Sequence, residues 1–122
     1  GGNILVVFER ASSPTITTNT WYHFALVRNG NNWYWFQNGT QLGTTYSNSS
    51  ALGDFAAELD IGKQSTNYLN GWLDEFRVTK GVARWTSNFT LPTGPYASDG
   101  STVLLLHMDG PEGSTTFTDT TT

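Results

Sequence analysis

Trp21-Tyr22-His23-Phe24-Ala25-Leu26-Val27-Arg28, Asn29-Gly30-Asn31-Asn32, Trp33-Tyr34-Trp35-Phe36-Gln37 and Asn38-Gly39 follow one another without a break. The first and third blocks are rich in aromatic and branched side chains, which suit a pleated, half-buried surface. The second and fourth are turn blocks. Asn-Gly tolerates positive φ at both central positions, so Asn38-Gly39 predicts a type I′ hairpin turn. Two strands and a return strand over residues 40–46 make an antiparallel meander the first reading.

The pattern continues on both sides. Ile4-Leu5-Val6-Val7-Phe8-Glu9 predicts an earlier strand, and Leu59-Asp60-Ile61 and Trp72-Leu73-Asp74-Glu75-Phe76-Arg77-Val78 predict later ones. No stretch over 1–80 holds a 3.6-residue period with helix caps, and residues 80–87 have room for one helical turn at most. Short strands at close spacing with Gly/Asn turns predict an all-β antiparallel sandwich or jelly roll. Trp21, Trp72 and Trp85 are expected in its core.

Pro92, Gly94 and Pro95 resemble a linker between a body over 1–96 and a tail over 97–122. The tail contains Thr102-Val103-Leu104-Leu105-Leu106-His107-Met108, which predicts an ordered strand paired in a sheet. A Thr-rich, low-complexity flank over 113–122 follows, where order is least expected.

Composition removes several function classes. Six Lys+Arg against ten Asp+Glu give a formal charge of −4, so no broad basic face exists for nucleic acid. No apolar run is long enough to span a bilayer, and Gly1-Gly2-Asn3 leads straight into a strand-like run, so no signal peptide is expected. With Cys 0 there is no disulfide framework, thiolate nucleophile or Cys-based zinc site. Charged residues are 13 %, about half the roughly 25 % usual in soluble domains. Polar surface must therefore come from Thr, Ser, Asn and Gly.

The run Trp21 to Gly30, with a strand and Asn38-Gly39 after it, resembles the central hairpin of laminin-G-like modules, which are concanavalin A-like jelly rolls. Asn70-Gly71-Trp72-Leu73-Asp74-Glu75-Phe76-Arg77-Val78-Thr79-Lys80-Gly81-Val82-Ala83-Arg84-Trp85-Thr86 resembles the late part of the same module more closely. The wording is similar to modules of marine phage virion proteins and bacterial surface proteins, often in tandem. Two departures stand out. The body over 1–96 lacks the family's opening strands, and Leu104-Leu105-Leu106-His107-Met108-Asp109-Gly110 resembles that opening strand at the other end. A permuted module, a piece of a tandem array, or a chain completed by its neighbour all fit.

The resemblance implies two kinds of chemistry to weigh. Glu58-Leu59-Asp60-Ile61 is similar to the catalytic strand of laminarinase-type hydrolases, whose retaining mechanism needs two carboxyls about 5–5.5 Å apart. Gly62 and Lys63 stand where the second carboxylate belongs, so the chain is expected not to be an enzyme. Related modules often hold calcium at the sandwich rim. Asp74 and Asp109 are the candidate ligands, although no loop supplies the roughly six to eight oxygens a hard cation takes. No cofactor beyond that calcium is expected. His23 and His107 are expected to be satisfied strand residues. Asn38, Asn48 and Asn88 begin glycosylation-type triplets, read as chance matches in an Asn- and Thr-rich chain.

Aromatics carry the stronger signal. Trp33 and Trp35 share one strand face, Tyr34 and Phe36 the other, and one pair is expected to stay accessible. Flat rings flanked by Asn and Thr suit sugar faces, so Trp33, Trp35 and Tyr34 are the glycan candidates. The expectation is a non-enzymatic extracellular or virion-surface module for adhesion, binding glycan through exposed aromatics. The alternative is a structural phage fibre or decoration module making protein–protein contacts; a glycosidase remnant ranks last. A glycan or a neighbouring module is the expected partner, within an oligomer or tandem array.

Overall fold

The computed structural model describes residues 14–53 and 56–122. The strand expected over Ile4-Leu5-Val6-Val7-Phe8-Glu9 lies outside them. The described residues form eight strands: β1 Phe24–Asn29, β2 Asn32–Gln37, β3 Thr40–Gln41, β4 Tyr46–Ser47, β5 Lys63–Gln64, β6 Asn67–Tyr68, β7 Phe76–Thr79 and β8 Thr102–Leu106. All their pairings are antiparallel, and the described residues contain no helix. None is therefore long and apolar enough to cross a membrane. Residues 80–87 form bends where one helical turn had room. The chain divides into two compact units, Gly1–Gly53 with Val82–Leu91, and Asp54–Gly81 with Pro92–Thr122.

The first unit is built on β2. Its register with β1 sets Ala25 opposite Phe36, Leu26 opposite Trp35, Val27 opposite Tyr34 and Arg28 opposite Trp33. Gly30, at φ 60°, occupies the first central position of the two-residue connection, a place where a side chain would strain the turn. Asn38 and Gly39 have φ 49° and 76°, the double positive φ expected of the second turn. The return strand is interrupted: β3 pairs with Phe36 and Gln37, the chain bends at residues 43–44, and β4 pairs with Asn32 and Trp33. Backbone bonds Leu42 N–H to Trp35 O and Asn48 N–H to Asn31 O bracket the bend.

Ala25, Val27, Tyr34 and Phe36 share the inner face of this sheet. Phe36 is 0 % exposed and meets the Phe89 ring edge-on at 5.2 Å. Phe89 stacks on Trp85 at 4.1 Å, and both meet His23 edge-on. A buried Phe truncated to Ala costs about 3–5 kcal/mol, so Phe36 is the costliest side chain to remove here. Trp85 is half-buried in this cluster. Trp21 and Trp72, also expected in the core, are instead exposed; each lies outside the strands that could cover it. The Asn side chains of the three glycosylation-type triplets are occupied by backbone: Asn38 Oδ1 accepts from His23 N–H, Asn48 Oδ1 from Ser50 N–H and Asn88 Oδ1 from Gln41 N–H.

The second unit differs more from expectation. Leu59-Asp60-Ile61 is not a strand. The hairpin follows it as β5 and β6, because Gly62 and Ser65 sit at φ 72° and 55° and turn the chain there. The strand expected from Trp72 begins only at Phe76, since Glu75 adopts φ 51° and breaks extension. The tail strand is present: Phe76 pairs with Leu106, Arg77 with Leu105 and Val78 with Leu104, with a register shift before Thr79. Leu105 and Leu106 are buried. The Thr-rich flank is tied down too. Asp119 Oδ1 accepts from Leu105 N–H at 3.0 Å, and Thr120 N–H donates to Leu105 O at 2.9 Å. The Leu105 and Thr121 N–H groups, both donating to Asp119 Oδ1, hold its carboxyl below its ordinary value of 3.8.

Glu75 joins three segments of this unit. One carboxylate oxygen is 2.8 Å from His107 Nδ1, and the other accepts Tyr96 N–H at 2.8 Å. Arg77 lies over the Tyr96 ring at 3.9 Å. Partial burial alone would raise the Glu75 carboxyl, but the Tyr96 N–H, the His107 ring and Arg77 together hold it below its ordinary 4.5. A depressed carboxylate stabilises the fold above its unfolded value, and that contribution is lost as pH falls through the folded value.

Two outcomes follow. A Cβ on Gly39 would overlap the Phe89 carbonyl oxygen, backbone against backbone, at a positive φ. Gly39→Ala is expected to cost about 1–3 kcal/mol, read as a lower melting temperature by circular dichroism; an unchanged melt would show that residues 82–91 do not pack there. Wild type should lose thermal stability between about pH 5 and pH 3. Glu75→Gln should start lower and show a shallower acid loss, and an equally steep loss would remove Glu75 from the account.

Candidate functional site: the outer ring face of the first unit

Strand alternation puts Phe24, Leu26 and Arg28 of β1 on the outer face with Trp33, Trp35 and Gln37 of β2, and Tyr46 of β4 pairs with Trp33. Phe24 stacks on Trp35 across the strands at 5.9 Å and 29°, the diagonal contact that long rings make in antiparallel pairs. Tyr22 extends the row, 6.3 Å from Phe24. Phe24 is 40 % and Leu26 48 % exposed, and Trp35 is half-buried. The result is a partly open row of rings rather than a pocket.

Polar groups border the row. The Tyr22 hydroxyl is 2.9 Å from Thr17 Oγ1 and accepts Thr17 N–H, contacts that lower the phenol from its ordinary 10.0. Gln37 Nε2 donates to Thr15 O at 2.8 Å. The Trp35 indole N–H is buried with no acceptor among the described residues. An unmet buried donor costs about 1–3 kcal/mol, so this ring is held by packing and not by its polar atom.

The three glycan candidates separate. Trp35 is on the row. Trp33 shares the face but is only 5 % exposed, so it is no platform. Its register neighbours explain why: Arg28 lies over the ring at 4.9 Å, Tyr46 pairs from the other side, and Nε1 donates to Asn48 O at 3.3 Å. Tyr34 lies on the inner face, stacked 6.3 Å from Phe36, and cannot share a ligand with Trp35. The two pairs do occupy opposite faces, but neither pair is accessible as a whole, because Trp33 and Phe36 are both buried. Sequence reading missed Phe24 and Tyr22. Their even spacing with Leu26 was the available signal, but it shows nothing until β1 is set against β2.

The carboxylates do not converge. Asp74 and Asp109 are both exposed, and Asp74 Oδ1 accepts Glu75 N–H at 3.1 Å. Among the described residues no three His, Asp or Glu side chains stand together as a metal site would require. Glu58 and Asp60 are also exposed, and Asp60 pairs with Lys63 at 3.7 Å. Both carboxylate oxygens of Glu75 are already engaged, which makes its His107 contact a structural tie.

Comparison with curated proteins and with solved structures finds no match. The Laminin_G_3 family model, described as the concanavalin A-like lectin/glucanases superfamily, matches residues 5–87. That superfamily holds glycosidases as well as binding modules, and the match agrees with the all-β antiparallel fold. From the meander, its ring-bearing face and this match over most of its length, the chain belongs to the concanavalin A-like lectin/glucanase superfamily, in its laminin-G-like branch.

Proposed function

We propose that this chain is a non-enzymatic, lectin-like module that binds glycan on the outer face of β1 and β2, for adhesion outside a cell or on a virion surface. One observation carries the reading: Phe24 and Trp35 stack diagonally and stay partly open, in a family that includes lectins. Sugar rings present flat C–H faces that pack on such side chains, while their hydroxyls need nearby amides and hydroxyls. Gln37, Thr17 and the Tyr22 hydroxyl supply these here. Trp33 supports the face from beneath Arg28, and Tyr34 takes no part. Calcium is not required by this reading.

The non-catalytic half of the proposal rests on Gly62 and Lys63, which stand after Glu58-Leu59-Asp60-Ile61 where the second carboxylate of the pair belongs, and on the tie of Asp60 to Lys63. A single carboxylate cannot serve as both nucleophile and acid/base.

A glycan array followed by calorimetry on any retained oligosaccharide tests both halves. Phe24→Ala and Trp35→Ala should each weaken binding about tenfold or more, equivalent to about 1.4 kcal/mol. Trp72→Ser, outside the ring row, should bind as wild type, and no reducing sugar should be released from β-glucans. A folded Trp35→Ala protein with undiminished affinity, or the absence of any retained glycan, would sink the reading.

A further inference from the structure

The chain contains three Asn-Gly steps, Asn29-Gly30, Asn38-Gly39 and Asn70-Gly71, and the structure treats them differently. Such a step holds a latent reaction of its own. Glycine has no Cβ, so its backbone nitrogen can approach the carboxamide carbon of the preceding Asn. Whether it does depends on how firmly the backbone holds the two groups apart.

Two of the steps are held by hairpins. Asn29 is the last residue of β1, in register with Asn32, and Gly30 O accepts Arg28 Nε at 2.8 Å. Asn38 is held more tightly. Its N–H donates to His23 O at 2.8 Å, and its carboxamide oxygen accepts His23 N–H at 2.9 Å. Gly39 is buried against Phe89, whose N–H donates to Gly39 O. Rotation of either residue breaks these contacts.

Asn70-Gly71 has no such restraint. Both residues are exposed in a bend. The last bond before them is Leu69 N–H to Gly62 O, and the next is Glu75 N–H to Asp74 Oδ1. Among the described residues, Asn70 to Leu73 take part in no hydrogen bond. Nor does the fold require glycine at 71. Its φ is not positive, and an added Cβ would meet only the Leu69 side chain, at 3.9 Å.

We propose that Asn70 is a site of spontaneous deamidation through a cyclic imide with Gly71, and that the hairpins protect Asn29 and Asn38. The deprotonated Gly71 nitrogen attacks Asn70 Cγ, the Cγ–Nδ2 bond breaks, and ammonia leaves with the proton. Water then opens the imide. Cleavage between Cγ and the Gly71 nitrogen leaves an aspartate in the normal backbone. Cleavage between the main-chain carbonyl carbon and that nitrogen leaves an isoaspartate, which routes the backbone through the side chain. Water is consumed, ammonia is released, and nothing is oxidised or reduced. Either product adds a negative charge beside the exposed Trp72, and Leu69 on the other side lines an open groove with Tyr68 and Leu73.

Peptide mapping with fragmentation tests this on the full chain, stored in neutral and in mildly alkaline buffer, folded or in urea. In the folded chain Asn70 should convert at least about tenfold faster than Asn29 or Asn38, which react only after local opening. Both aspartate and isoaspartate should form, faster in the alkaline buffer because the attacking nitrogen must lose its proton. In urea the three sites should convert at similar rates. Gly71→Ala, shown to be folded by circular dichroism, should slow conversion about tenfold or more, since a Cβ hinders the attack. An Asn70 that keeps its amide in the folded chain while losing it in urea overturns the proposal. So does Asn29 or Asn38 reacting as fast as Asn70 in the folded chain, and so does undiminished conversion in Gly71→Ala.

Discussion

The edge-on contact between Phe36 and Phe89 is the constraint on which the first unit depends. Phe36 has no exposed surface, and Phe89 reaches it from a segment far along the chain. That approach is possible because Gly39 has no side chain where the Phe89 carbonyl passes, and Phe89 N–H donates to Gly39 O at 2.9 Å. Once Phe36 points inward, strand alternation sends Trp33 and Trp35 outward. The inner contact thus decides what the outer face can offer a ligand.

The same economy appears in how rings are divided along β2. Four consecutive aromatics would leave two large rings in water if the face they share were bare. Trp33 is instead closed off by Arg28 and Tyr46, and Trp35 by Phe24 on one side. What remains open is the Phe24–Trp35 step and Leu26. A binding face of this kind is narrow, and its hydrogen-bonding groups come from Thr and Gln, in keeping with a chain low in charge. The lectin-like reading therefore fits the composition as well as the family.

In the second unit one carboxylate does the joining that packing does in the first. Glu75 ends the extended run before β7 and holds the Tyr96 backbone and the His107 ring, while Asp119 holds β8 from its other edge. These charge-assisted bonds add to the packing of Leu105 and Leu106 in ordering that unit. They leave Trp72 exposed, in the unit that holds nine of the ten carboxylates.

The all-β class, the β1–β2–β3 meander and the strand at 102–106, though not its partner β7, were legible along the chain, because turn chemistry and alternation are local. Asn38-Gly39 permits few conformations, and Val103 to Leu106 have a strand's composition. The family was legible too, through the runs around Trp21 to Gly30 and Asn70 to Thr86. Which rings stand open was not. The burial of Trp33 depends on Arg28 and Tyr46, which reach it only across strands, and Trp21 and Trp72 are exposed because none of the described strands covers them. The role of Glu75, rather than its neighbour Asp74, depends on a positive φ and on partners at 96 and 107. Local sequence determines which segments extend and which turn, since backbone geometry and hydrophobic spacing act over a few residues. Only the tertiary structure decides what each side chain meets, because those neighbours come from distant parts of the chain.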